Sequence, residues 1–138
     1  MNIRCRAHFR QVGLALLLAL GLGLWLFFGA TAHPSLRANE ASPGPGDLLS
    51  SSPQQVKLVF NVELQGLVPW QSFFWVIQEK GLKVVALGQV DLNAPDRDVM
   101  IAKLPQLEPG VYQVKWVAVS KADQGFSEGS YSFAVTGQ

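Results

Sequence analysis

The chain has 138 residues with 11 basic and 10 acidic side chains, so its formal charge is close to zero. Three of the basic residues, Arg4, Arg6 and Arg10, lie at the start, and residues 33–138 therefore carry eight basic and ten acidic groups. This balance offers no basic face for nucleic acid. The 106 residues from position 33 onward suffice for one domain and not for two.

An apolar run over residues 12–30 follows the basic start, which is the pattern of an export leader. Ala30 and Ala32 have the A-x-A spacing that a signal peptidase reads. We therefore expect a signal peptide over residues 1–32, cleaved to leave His33 first, and one domain over residues 33–138. The run also reaches the roughly 18 residues of a membrane span, so a retained membrane anchor is the alternative. In both cases the domain is expected to be exported across the membrane.

Short segments of alternating or β-branched and aromatic residues follow, separated by turn residues, and none has a sustained 3.6-residue period. This pattern predicts an all-β protein, an antiparallel two-sheet sandwich. Lys121 to Gly129 is expected to be a polar loop. Tyr112, directly after a Pro-Gly turn, resembles a tyrosine corner, in which the phenol bonds back to the backbone. The predicted strands lie at residues 55–64, 72–78, 82–90, 99–104, 111–120 and 131–135.

Residues that could carry chemistry are scarce. The only cysteine, Cys5, and one of the two histidines, His8, lie in the leader, so the domain has neither a disulfide nor a thiolate metal site. The serines at 50–52 have no nearby histidine that could act as a base, and the sequence indicates no pair of carboxylates for acid–base catalysis. We therefore expect a protein that is not an enzyme.

His33 becomes chemically special only if it is the first residue. Its α-amine and its ring Nδ1 then close a six-membered chelate, and Pro34 has no amide N–H to add as a third donor. Amine and imidazole nitrogens in a tetragonal arrangement suit Cu(II). Asp123 is either a solvated loop carboxylate or an oxygen ligand that completes this site, and spacing alone leaves both open.

Several segments together resemble the CopC-type copper-resistance proteins of the bacterial periplasm. The resemblance implies an immunoglobulin-like Greek-key sandwich of about seven strands and a Cu(II) site at His33 and Asp123. It also implies a role in copper resistance or homeostasis, with a membrane copper transporter or another periplasmic copper protein as partner. Gly125 stands where that family has a second histidine, so a metal-free interaction or structural module is the alternative. The matching segments are His33-Pro34-Ser35-Leu36, the P-x-x-V-x-L-x-F pattern at 53–60, the L-x-P-G-x-Y-x-V-x-W pattern at 107–116, Val119-Ser120, Gly129-Ser130 and Phe133.

Overall fold

The computed structural model describes residues 33–67 and 71–137. These residues belong to one compact unit. The expected leader lies outside the described residues. Within those residues, no helix is long and apolar enough to cross a membrane.

The described residues are almost entirely β-structure, because their short segments are rich in β-branched and aromatic side chains. One turn of 3-10 helix, Ala38–Glu40, precedes the strands. The strands are β1 (Leu48–Leu49), β2 (Gln55–Val59), β3 (Phe73–Gln78), β4 (Lys83–Val90), β5 (Val99–Lys103), β6 (Gly110–Val119) and β7 (Phe126–Val135).

The strands hydrogen-bond in the order β1-β7-β6-β3-β4-β5-β2. All neighbouring pairs are antiparallel except β1 and β7, which run parallel, so the purely antiparallel prediction is corrected at that edge. β3 and β4 form an antiparallel hairpin. Only two residue pairs join β4 to β5, and residues of both strands line a cleft of about 430 Å³.

The sheet curls over on itself, so the inward side chains of its two halves meet in one core. Backbone bridges close the structure at three places, namely Leu36 with Phe60, Ser42 with Lys57, and Leu64 with Ser120. The result is the expected β-sandwich. Its core consists of Val56, Leu58, Phe60, Leu64, Phe74, Val76, Val90, Met100, Ala102, Leu107, Tyr112, Val114, Ala118, Phe133 and Val135.

Two predicted boundaries are corrected, and one strand was not predicted. The strand expected over residues 55–64 ends at Val59, because the next residue pairs instead with the N-terminal segment. The final strand begins at Phe126, so only the first part of the expected polar loop is a loop. Strand β1 was not predicted, since two residues have no periodicity to detect.

The tyrosine corner is confirmed. The Tyr112 hydroxyl donates a hydrogen bond to the carbonyl oxygen of Glu108 at 2.7 Å, across the entry to β6. Tyr112 is 1% exposed and stacks on Phe133 with ring centroids 5.6 Å apart. Burial, followed by the charge of Glu108, raises the pKa of the Tyr112 phenol above its ordinary value of 10.0. The phenol is therefore neutral at physiological pH and keeps the proton with which it donates this hydrogen bond.

Trp116 fills the space left by a glycine on the neighbouring strand. Its register partner on β7 is Gly129, and the indole lies over that residue because there is no side chain in the way. The same indole makes an edge contact with Phe60 at 6.5 Å and contacts Tyr131 at 6.2 Å between ring centroids. Tyr131 in turn donates a hydrogen bond to the Pro43 carbonyl oxygen at 2.6 Å. These contacts tie the β6–β7 hairpin to the N-terminal part of the domain.

Candidate metal centre

The backbone next to His33 is held against the chain that follows β2. The Ser35 N–H donates to the Asn61 side-chain oxygen at 2.7 Å, and the Asn61 N–H donates to the Ser35 carbonyl oxygen at 3.1 Å. The Arg37 N–H adds a bond to the Val59 carbonyl oxygen at 2.8 Å. His33 itself is exposed. The backbone that follows His33 is thus held in place by hydrogen bonds, while the histidine itself is exposed to solvent.

The loop that carries Asp123 closes the β6–β7 hairpin. The Ser120 N–H donates to the Gly125 carbonyl oxygen at 2.8 Å, and the Gln124 N–H donates to the Ser120 carbonyl oxygen at 3.1 Å. Gln124 has φ of 59°, the left-handed conformation that such a tight loop requires. Asp123 Oδ1 accepts a hydrogen bond from the Gly125 N–H at 3.0 Å, as in an Asx turn. That bond fixes the orientation of the Asp123 carboxylate.

The segment after β2 also holds this loop. Lys121 Nζ lies 2.7 Å from Glu63 Oε1, and the Lys121 N–H donates to the Glu63 carbonyl oxygen at 3.0 Å. The Gln65 N–H donates to the Val119 carbonyl oxygen at 2.8 Å. Residues 61–65 therefore bind the backbone beside His33 at one end and the loop of Asp123 at the other. We call this stretch the anchor segment.

The two predicted ligand residues come close to each other beside Gly125, at the place where a side chain on that residue would lie. We call this place the space in front of Gly125. A Cβ atom built on Gly125 would lie 3.2 Å from His33 Nδ1, and 3.1 and 3.5 Å from the two carboxylate oxygens of Asp123. The imidazole nitrogen and the carboxylate are thus neighbours, although 90 residues of chain separate them. Among the residues that the structure describes, no third histidine, cysteine or carboxylate joins them in a cluster that could hold a metal ion.

An acidic cleft of about 370 Å³ lies beside the anchor segment. Two of its wall residues, Asn61 and Glu63, are the same residues that hold the His33 backbone and the Asp123 loop. Its lining carries three carboxylates and one guanidinium, and one of the carboxylates, that of Glu63, is paired with Lys121. The full lining is Arg37, Asn61, Val62, Glu63, Pro95, Asp96 and Asp98.

Comparison with known proteins identifies the family. The family model of the CopC domain matches residues 38–136, well over half of the chain. The protein belongs to the CopC domain family. Among curated proteins, no sequence matches this CopC-domain chain.

Two solved structures resemble this CopC-domain protein over nearly their whole length. CopC from Methylosinus trichosporium OB3b is 28% identical with a TM-score of 0.65, and the match covers 77% of this chain and 96% of that one. PcoC, a methionine-rich copper resistance protein from Escherichia coli, is 26% identical with a TM-score of 0.60. That match covers 76% of this chain and 100% of PcoC.

Sequence reasoning missed the anchor segment. Nothing in the pattern of residues 61–65 distinguishes Asn61 and Glu63 from ordinary polar residues at the end of a strand. Their role follows from backbone and side-chain bonds to two distant parts of the chain. A polar side chain placed directly after an apolar strand was the only available signal.

Proposed function

We propose that this protein is an exported copper-binding protein of copper resistance or homeostasis. Cleavage after Ala32 would create an α-amine on His33 beside its ring Nδ1, and Asp123 would add a carboxylate oxygen. The protein binds copper rather than catalysing a reaction, and it is located in the periplasm. A membrane copper transporter or another periplasmic copper protein would exchange the metal with it.

The observation that carries this proposal is the approach of His33 Nδ1 and the Asp123 carboxylate to the same point in front of Gly125. Nitrogen and oxygen donors of this kind suit Cu(II), which leads the divalent affinity order, whereas Cu(I) prefers sulfur ligands. The domain has one methionine, Met100, which is fully buried. The donor set therefore favours Cu(II) over Cu(I). Membership of the CopC family and the likeness to a copper resistance protein support the same assignment.

The first experiment determines the N-terminal residue of the exported protein by mass spectrometry and then titrates it with Cu(II). We expect one Cu(II) per chain for the protein that begins at His33. Binding should weaken at least about tenfold in His33→Ala, because the chelate is lost. It should weaken similarly when one glycine is added ahead of His33, because the imidazole stays but the amine moves away.

The role of Asp123 has a matched control within the chain. Asp91 Oδ1 also accepts a hydrogen bond from the N–H two residues later, that of Asn93, at 3.0 Å. Asp123→Asn and Asp91→Asn thus change the same kind of turn in two different loops. We expect only Asp123→Asn to weaken Cu(II) binding, and equal titrations for the two variants would contradict a ligand role for Asp123.

The second candidate is a metal-free interaction or structural module of the periplasm, anchored in the membrane if the leader stays. It is favoured by the presence of a single histidine in residues 33–138. An exported protein that begins at His33 and takes up no Cu(II) would support this candidate and contradict the first.

A further inference from the structure

The space in front of Gly125 is bordered by the proposed ligand atoms. The three heavy atoms nearest to a Cβ built there are His33 Nδ1 and the two oxygens of Asp123, at 3.1 to 3.5 Å. Leaving aside Gly125 and its two chain neighbours, no other heavy atom comes closer. A ligand atom that enters this space therefore meets the groups that would hold the metal.

The same space opens to solvent. His33 and Asp123 are both exposed, and Gly125 between them is half-buried. The nearest cation of the loop, Lys121, is already paired with Glu63. Neither a side chain on Gly125 nor an unpaired lysine of the loop stands in the way of a group that arrives from outside.

The donor atoms that His33 and Asp123 can supply leave one coordination position of the copper ion unfilled. His33 can supply an amine and an imidazole nitrogen, and Asp123 supplies an oxygen, whereas a tetragonal Cu(II) centre has four in-plane positions. The sequence contains no other histidine from residue 33 onward. The fourth in-plane position is therefore left to water or to a ligand from another molecule.

We propose that this copper site is completed by an external imidazole ring, which enters in front of Gly125 and coordinates the metal. This inference rests on the proposed function, since it requires Cu(II) at His33 and Asp123. A ring nitrogen displaces one water molecule from the copper, with no change of oxidation state. Imidazole is favoured because it is neutral at physiological pH and is a preferred nitrogen donor for Cu(II), whereas a lysine amine is protonated. The ring is supplied either by free histidine or by a histidine side chain of a protein that exchanges copper with this one.

The test starts from the exported protein with one equivalent of Cu(II). Free imidazole is added in one series, and in another a blocked peptide with a single internal histidine. Electron paramagnetic resonance and the visible absorption band report the number of nitrogen ligands. We expect one added nitrogen per copper, with saturation. Binding of both probes supports a protein histidine as the source, and binding of free imidazole alone supports a small molecule.

Two variants locate the added ring. Gly125→Leu places an isobutyl group in the space, and we expect it to raise the half-saturating imidazole concentration at least about tenfold. Gly125→His offers an internal ring for the same position, and we expect its copper spectrum to be unchanged by imidazole. His33→Ala with copper and imidazole gives the signal of copper complexes free in solution.

The outcomes separate the inference from the function on which it rests. If the wild-type protein binds no Cu(II), the proposed function fails. If it binds Cu(II) but its spectrum does not respond to imidazole, the function stands and the external ligand is refuted. The inference is also refuted if imidazole removes the copper from the protein, or if Gly125→Leu responds at the same concentration as the wild type.

Discussion

Replacing Gly129 by alanine should destabilise the domain, although alanine usually suits a strand better than glycine. A Cβ on Gly129 would lie 2.6 Å from Trp116 Cη2 and 2.8 Å from Cε2, and closer still to Cζ2. Carbon atoms in contact prefer about 3.5–4.0 Å. The indole must therefore move away, and it cannot do so without losing its contacts with Phe60 and Tyr131.

The size of the effect follows from the area that Trp116 buries. A fully buried aromatic side chain removes about 150–250 Å² from water. Trp116 is half-buried, so about 100 Å² is at stake, worth roughly 2.5 kcal/mol at about 25 cal/mol per Å². Because the ring shifts rather than leaving altogether, we expect Gly129→Ala to lower the free energy of unfolding by about 2 kcal/mol. For a domain of this size the midpoint of thermal unfolding should fall by about 10 °C.

Gly110→Ala is the matched control in the same hairpin. No atom lies within 4 Å of a Cβ on Gly110, and its φ is outside the left-handed region. This variant should be as stable as the wild type, or more stable by up to about 1 kcal/mol. Both variants are compared by denaturant unfolding followed by tryptophan fluorescence and circular dichroism. If Gly129→Ala unfolds at the same midpoint as Gly110→Ala, the packing of Trp116 on Gly129 is wrong.

Three further predictions concern the site and the two buried phenols. Gly125→His should tighten Cu(II) binding about 10- to 100-fold in competition titrations, because it adds an internal nitrogen ligand; equal affinity would contradict the geometry in front of Gly125. Tyr112→Phe should cost about 1–2 kcal/mol in urea unfolding, since it leaves the Glu108 carbonyl without its donor, and an unchanged midpoint would argue against the corner. Burial and the charge of Asp47 raise the pKa of Tyr131 far above 10.0. The stabilisation from this neutral phenol is thus complete below about pH 10 and is lost as the pH rises further. In Tyr131→Phe the free energy of unfolding should therefore fall less steeply with alkaline pH than in the wild type.

Alternation allowed most of the sandwich to be predicted from the sequence. In β6 every second residue from Tyr112 to Ala118 faces the core, and a period of two was visible over the whole strand. The first half of β7 was taken for a loop because it contains Glu128, Gly129 and two serines, Ser127 and Ser130. Its one apolar side chain, Phe126, is exposed, and its inward Gly129 is small because Trp116 occupies the space, so no alternation of apolar side chains marks the strand there.

The residues of the proposed site could be named from the sequence, but their proximity in the fold could not be predicted. The amine and imidazole of an N-terminal His33 suit Cu(II) by their chemistry, whereas Asp123 is a predicted ligand only through the family resemblance. Their proximity depends on the anchor segment, and its bonds through Asn61 and Glu63 join parts of the chain that are far apart in sequence. Such long-range pairing is decided by tertiary packing, which local periodicity does not report. Whether His33 begins the exported protein and whether copper binds there stay predictions.

The separation of His33 and Asp123 along the chain has a consequence for how copper and folding depend on each other. In an unfolded chain the two groups are far apart on average, and only the closed sandwich presents them together. The chelate within His33 survives in the unfolded chain, but a metal ion that also uses Asp123 binds the native state more tightly, and this difference in binding free energy is added to the stability of the whole domain. Copper held by both residues would thus report that these distant contacts of the fold have formed.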